Sequence, residues 1–203
     1  MGEDKPIIGL AGGIGAGKST VARLLAEAGC MVASSDKVNR EALRDAEIRR
    51  TLVEWWGEGI LDGSGEIDRG AVAKIVFADA GERKRLEGLT HPWIQRRHLE
   101  QFAGAGPETR ALVIDAPLLF EAGWEGFCEA VIFVDAPRAL RLTRLKRERN
   151  WTEKDVKERE DSQLVLDEKR SRADHIIWND GELSDLAEQV RRVLSEILES
   201  RKT

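Results

Sequence analysis

The chain has no tyrosine, so any mechanism that needs a phenol is excluded. Cysteine is scarce: Cys30 and Cys128 lie far apart and form no CxxC pair. That spacing supports neither a disulfide framework nor a zinc knuckle, and free thiols fit a reducing compartment. The three histidines show no metal-ligand spacing. No apolar run approaches the length needed to span a bilayer. Residues 1–6 are polar and short, without the apolar region of a signal peptide. A cytoplasmic protein with no membrane partner is expected. A surplus of positive charge is also missing: 32 Lys and Arg against 37 Asp and Glu leave a net charge of −5. That balance argues against nucleic acid as a partner.

What is present is a mixed composition, 41% hydrophobic and 34% charged, over 203 residues. The two signs of charge are interspersed, which is not the pattern of disorder. The length suffices for one buried core with a small appended subdomain. Five short apolar runs stand at 7–11, 30–33, 111–114, 130–134 and 175–178, rich in Ile and Val and bounded by Gly, Asp, Asn or Pro. Continuous apolar character predicts strands covered on both faces, as in a parallel sheet. Trp178, inside the fifth run, is expected in the core.

Helical patterns separate the runs. Val21, Leu24, Leu25 and Ala28 share one face, and Leu183, Leu186, Val190, Val193, Leu194, Ile197 and Leu198 form a C-terminal apolar stripe. Thr152 and Asp155 have the spacing of a capping box. The alternation predicts an α/β fold with right-handed crossovers. Roughly 75 residues separate the second and third runs, too many for one crossover helix, so an inserted helical region is expected there. Two helical stretches are visible in it, and a helix is expected to begin near Pro92. A second insertion covers 138–172.

The segment Gly12-Gly13-Ile14-Gly15-Ala16-Gly17-Lys18-Ser19 reads G-x-x-x-x-G-K-S, directly after an apolar run and directly before a helical pattern. That context identifies a phosphate loop. Glycines let backbone N–H groups turn toward phosphate oxygens, and the helix N-terminus adds positive potential. Lys18 is then expected on the β- and γ-phosphates of ATP, and Ser19 on Mg²⁺. Asp115, closing the third run, is either a second Mg²⁺ ligand or a capping aspartate before Pro117. Asp36, after the second run, is either a base or acceptor-binding group or a helix N-cap. Arg138, Arg141, Arg144, Lys146, Arg147 and Arg149 crowd one helical pattern. They form either a solvated face or a source of phosphate-stabilising arginine. An Asn-Lys-x-Asp base-reading run is lacking, and Ala-Pro-Leu follows Asp115 where a γ-phosphate sensor would place glycine, so a switch GTPase is disfavoured. His91 reads as either a packed side chain or a catalyst. The tryptophans read as core or as lining of an acceptor pocket.

Taken together, these residues resemble the dephospho-CoA kinase family over nearly the whole chain. The resemblance is carried by 9–19; by Ser35-Asp36-Lys37-Val38 with Arg40; by Ile75-Val76-Phe77; and by Leu86-Glu87 with His91-Pro92-Trp93-Ile94. Pro117-Leu118-Leu119-Phe120-Glu121 is its most diagnostic run, followed by Arg159, Gln163, Ala173-Asp174-His175 and Asn179-Asp180-Gly181. It implies a single three-layer P-loop domain over 1–203 with a five-stranded parallel sheet, a helical acceptor-binding insertion at about 37–104 and a lid at about 138–172. It implies ATP-dependent phosphorylation of the ribose 3′-hydroxyl of dephospho-CoA. Another small acceptor, a nucleoside monophosphate or a sugar, is the alternative. Under the resemblance, residues 12–20, Thr20 included, with Asn179 and Gly181 bind the nucleotide. Asp36 is the base or orienting carboxylate, and Lys18, Arg144 and Arg147 act on the phosphoryl group. Arg40, Phe77, His91, Leu118 and Glu121 meet the acceptor. Ser34 stands where the family usually carries an acidic residue, which leaves Asp36 as the carboxylate there. The resemblance is silent on oligomeric state.

Overall fold

The computed structural model describes residues 5–201. All five apolar runs become strands: β1 (Ile7–Gly12), β2 (Met31–Ser34), β3 (Leu112–Asp115), β4 (Ala130–Asp135) and β5 (His175–Trp178). They form one parallel sheet in the order β2-β3-β1-β4-β5. β1 is therefore central, with Leu10 beside Asp115 of β3 and Gly12 beside Val134 of β4. In such sheets the loops at the C-terminal strand ends hold the ligand, and the glycine-rich segment and Asp115 both leave the sheet at that end.

The described residues divide into two compact units, 5–34 with 104–201, and 35–103. In the first unit, α1 (Lys18–Glu27) and α9 (Leu183–Ser200) cover one face of the sheet. Ile8, Leu10, Val113, Ile132, Val134 and Ile177 meet Val21, Leu25, Leu186, Val190 and Leu194 there, all buried. Each such side chain contributes roughly 1.5–3 kcal/mol on burial, so this layer anchors both ends of α1. The other face is met by the segment after β3 and by α8 (Leu166–Ser171), which follows α6 (Arg138–Arg149) and α7 (Glu153–Glu160) in the chain. Gly9 opens onto that face, where a Cβ would stand 2.7 Å from Leu119 Cδ2. α6 ends at Asn150 in the left-handed region, φ 54°, and Thr152 with Asp155 forms the expected capping box at the start of α7.

Trp178 departs from its expected place in the core: it is 44% exposed. β5 is an edge strand, and Ile177 takes the buried position toward α9, so the next side chain falls on the opposite face. The guanidinium of Arg170 lies over the indole, 5.7 Å from its centre.

The second unit holds four helices where two stretches were visible in the sequence: α2 (Ser35–Ala42), α3 (Ala46–Trp56), α4 (Arg69–Ala78) and α5 (Ala80–Ala103). α2 is short and buries only Ser35, Val38 and Ala42, too few positions for a periodic signal. Asp45 caps α3, accepting from Glu47 N–H and Ile48 N–H. Pro92 does not start a helix; it lies inside α5, exposed. Proline removes one backbone donor from the helix. The helix continues because Thr90, Ile94, His98 and Phe102, four residues apart, are all buried along one stripe, and packing rather than propensity carries most helical stability.

Candidate active site: a phosphate cradle

β1 ends at Gly12, and α1 begins at Lys18. Close packing dictates glycine at the turns between them. At Gly12 a Cβ would stand 2.7 Å from the Val134 carbonyl oxygen. Gly15 and Gly17 take φ values of 78° and 90°, a left-handed conformation that costs other residues roughly 1–2 kcal/mol. A Cβ on Gly17 would also stand 2.0 Å from Asn179 Nδ2.

Side chains from outside the loop engage its carbonyls. Asn179 Nδ2 donates to Ala16 O at 2.7 Å, and Arg144 Nη1 donates to the same oxygen at 3.4 Å. Arg141 Nη1 donates to Ile14 O at 3.0 Å. The N–H groups of Lys18 and Ser19 precede the first helical turn, which closes from Thr20 N–H to Gly17 O at 2.9 Å. They belong to the helix-start donors that no intrahelical acceptor can satisfy. The first turn of α1 contains no acidic residue of its own, and the carboxylate that reaches it is Asp115, paired with Lys18. Helix-start N–H groups without intrahelical acceptors, loop carbonyls engaged by Asn179, Arg144 and Arg141, and the positive end of the α1 dipole together suit anionic oxygens.

Lys18 Nζ ion-pairs with Asp115 Oδ1, and both side chains are largely shielded from solvent. The pair joins the start of α1 to the end of β3. Ser19 is exposed on the first turn of α1. Among the described residues no cluster of three or more His, Cys, Asp or Glu could hold a metal by itself. One hydroxyl and one carboxylate beside an anion cradle fit Mg²⁺, which is usually held by few protein oxygens together with substrate phosphates.

The arginine-rich α6 divides into distinct roles. Arg144 reaches the cradle and also donates to Asn179 O at 3.0 Å and Asn179 Oδ1 at 3.4 Å. Arg141 is buried between Ile14 O and Glu160, which it meets at 2.7 Å. Burial works to raise the Glu160 pKa, but hydrogen bonds from Arg141 and Arg138 outweigh it and hold the carboxyl below its ordinary range. Arg147 is not brought to the cradle; it is exposed and paired with Glu148 at 3.1 Å.

The family model described as dephospho-CoA kinase matches residues 6–185. The chain belongs to that family. A dephospho-CoA kinase of Bacillus licheniformis is 36% identical over 190 residues, 93% of this chain and 94% of the relative. Among solved structures, a Thermus thermophilus protein superposes with a TM-score of 0.84 at 35% identity, covering 96% of this chain and 98% of the other. A dephospho-CoA kinase of Campylobacter jejuni gives a TM-score of 0.68 at 29% identity, covering 96% and 98%. The sheet order, the helices on both faces and the loop are those of a P-loop kinase.

Several residues that the family resemblance marks out fall in the first unit. Asn179 is buried, and its amide is committed to the cradle backbone rather than open to a ligand. Gly181 lies in the exposed turn before α9. Leu118 is exposed on the loop after β3. Glu121 ends that loop and is paired with Lys169 at 2.6 Å. The others lie in the second unit. Asp36 and Arg40 are exposed on α2, one helical turn apart and so on one face. Phe77 is 70% exposed near the end of α4. His91 is half-buried on α5; burial pushes its pKa below the ordinary value, against the opposing pull of Glu87.

The anchoring contacts of Arg141, Glu160, Asp135 and Lys169 leave no trace in sequence spacing. The arginine crowd is visible there, but the carboxylate facing Arg141 lies 19 residues further on, and only the fold joins them.

Proposed function

We propose that this chain transfers the γ-phosphoryl group of ATP to the ribose 3′-hydroxyl of dephospho-CoA, giving coenzyme A and ADP. The observation that carries the reading is the cradle itself, a glycine-rich loop running into a helix start that bears Lys18 and no acidic residue in its first turn, in a chain whose family is dephospho-CoA kinase. Lys18 exchanges its carboxylate partner for the β- and γ-phosphate oxygens, and the N–H groups at the start of α1 hold the remaining charge. Ser19 and Asp115 hold Mg²⁺, which neutralises phosphate charge when bound with the nucleotide. Arg144 keeps the loop in shape through Ala16 and Asn179 and acts on the transferred group from there. Arg147 receives no phosphate contact.

The unit 35–103 takes the acceptor, and the lid lies within 138–172. Asp36 accepts a hydrogen bond from the acceptor hydroxyl and then its proton. Arg40, on the same face of α2, offers a cation for acceptor phosphate. Within this unit His91 and Phe77 are the further acceptor contacts, and Leu118 is the acceptor contact of the other unit. Glu121 acts by placing Leu118 rather than by touching the acceptor. Two free thiols, Cys30 pushed up to about 11 and Cys128 to about 12 chiefly by burial, stay protonated and suit the reducing cytoplasm.

The test is a coupled ADP-release assay with dephospho-CoA beside AMP, CMP and gluconate. Turnover selective for dephospho-CoA is expected. Preference for a nucleoside monophosphate or gluconate would replace the acceptor while leaving the cradle chemistry intact.

A further inference from the structure

Lys169 is fully buried, with 0% of its surface exposed. Its ammonium donates to Gln163 Oε1 at 3.0 Å and the Pro117 carbonyl at 3.4 Å and ion-pairs with Glu121 Oε1 at 2.6 Å. Leu164 N–H donates to the same Glu121 oxygen at 3.0 Å. Pro117 and Glu121 are the two ends of the loop that follows β3 and carries Leu118. Gln163 and Leu164 belong to the segment that joins α7 to α8. One buried cation therefore ties the two ends of one loop to the root of another segment.

The neighbouring residues extend the same pattern. Arg170 donates from Nε to Asp135 Oδ2 at 2.8 Å, at the end of β4, and Arg172 pairs with Glu125. Leu166, at the start of α8, lies where a Cβ on Gly13 would come within 3.4 Å of it. α8 with the adjoining Arg172 thus touches the cradle through Leu166 and holds three carboxylates on two segments, Glu121 and Glu125 after β3 and Asp135 at the end of β4.

A buried ion pair is a poor device for stability alone, because an apolar pair of similar volume is often as stable or more so. What Lys169 supplies instead is direction: its donors fix where the loop 117–121 lies against α8. We propose that Lys169 is a positioning residue for phosphoryl transfer, setting the Pro117–Glu121 loop, and with it Leu118, relative to the phosphate cradle. The proposal rests on the acceptor reading given for Leu118 above.

The experiment compares wild type with Lys169→Met and with Lys169→Met/Glu121→Gln, which removes the stranded carboxylate charge. kcat and the KM for each substrate are measured with whichever acceptor the wild type turns over, alongside the melting temperature. The acceptor reading is thus judged on the wild type, and the role of Lys169 on the ratios. In the folded variants the acceptor KM is expected to rise tenfold or more, while the ATP KM stays within twofold. The double variant should recover melting temperature without recovering the acceptor KM. Unchanged constants in a folded variant, or equal rises in both KM values, would overturn the proposal. So would failure of both variants to fold, because the cation would then serve the fold alone.

Discussion

Replacing Gly17 by alanine strikes the cradle at its tightest point. The backbone there has φ 90°, and alanine in that region costs roughly 1–2 kcal/mol. Its Cβ would also stand 2.0 Å from Asn179 Nδ2, a contact that neither atom can accept. The Asn179 amide must then leave Ala16 O, to which it donates at 2.7 Å, and loosen from Arg144. Each buried polar group left unsatisfied costs roughly 1–3 kcal/mol. The combined distortion is about 3–5 kcal/mol, and because 1.4 kcal/mol is tenfold, kcat/KM for ATP should fall by roughly 10²- to 4 × 10³-fold. The core between the sheet, α1 and α9 lies beneath the loop, so the protein should still unfold cooperatively in a melting experiment. ADP release at varied ATP gives kcat/KM directly. Asn179→Ala should cost less than Gly17→Ala. The double variant should be no worse than Gly17→Ala, because the amide is already displaced and the two effects do not add. Activity of Gly17→Ala within threefold of wild type would refute this geometry.

Three further outcomes are expected. Lys18→Ala should keep the backbone donors and bind ATP but lose turnover by roughly 10²–10³-fold, as for removal of one electrostatic stabiliser; near-normal turnover would contradict the assignment. Arg144→Ala should lower kcat/KM for ATP at least tenfold while Arg147→Ala stays within twofold, and equal losses would contradict the division of α6 into braced and solvated arginines. Burial holds the His98 imidazole at about 4, below its ordinary 6.5. The unfolded chain therefore takes up a proton below pH 6.5 that the native state refuses, and stability present above 6.5 falls as pH drops toward 4, by up to about 1.4 kcal/mol per pH unit. Melting temperatures at pH 7, 6 and 5 should show that slope in wild type and a shallower one in His98→Phe; identical slopes would contradict it.

The sheet was legible in the sequence because its three inner strands are buried on both faces, and that burial writes uninterrupted apolar runs into the chain. The one error in it, Trp178, arose at an edge strand, where the rule of two covered faces lapses. The helices of the second unit were less legible. α2 buries too little to show a period, and Pro92 reads as punctuation until the buried stripe of α5 is seen to override it. The cradle was fully legible, since glycine, lysine and serine at that spacing have a direct steric and electrostatic reason. Its supports were not: Arg141 with Glu160, Asn179 with Ala16 and Lys169 with Glu121 are contacts between segments distant in sequence, and Arg144 and Arg147, three residues apart on one helix, are told apart only by the partners the fold gives them.

The most direct measurement of the central claim is the product made by wild type and by Asp36→Asn from ATP and dephospho-CoA, followed by phosphorus NMR. A positioned base contributes on the order of 10²–10⁴-fold, and asparagine keeps the shape of Asp36 while removing its basicity. Wild type should place the new phosphate on the ribose 3′-hydroxyl, and Asp36→Asn should bind ATP normally yet lose the reaction within that range. Full activity in Asp36→Asn, or a wild type that leaves dephospho-CoA untouched, would contradict the account.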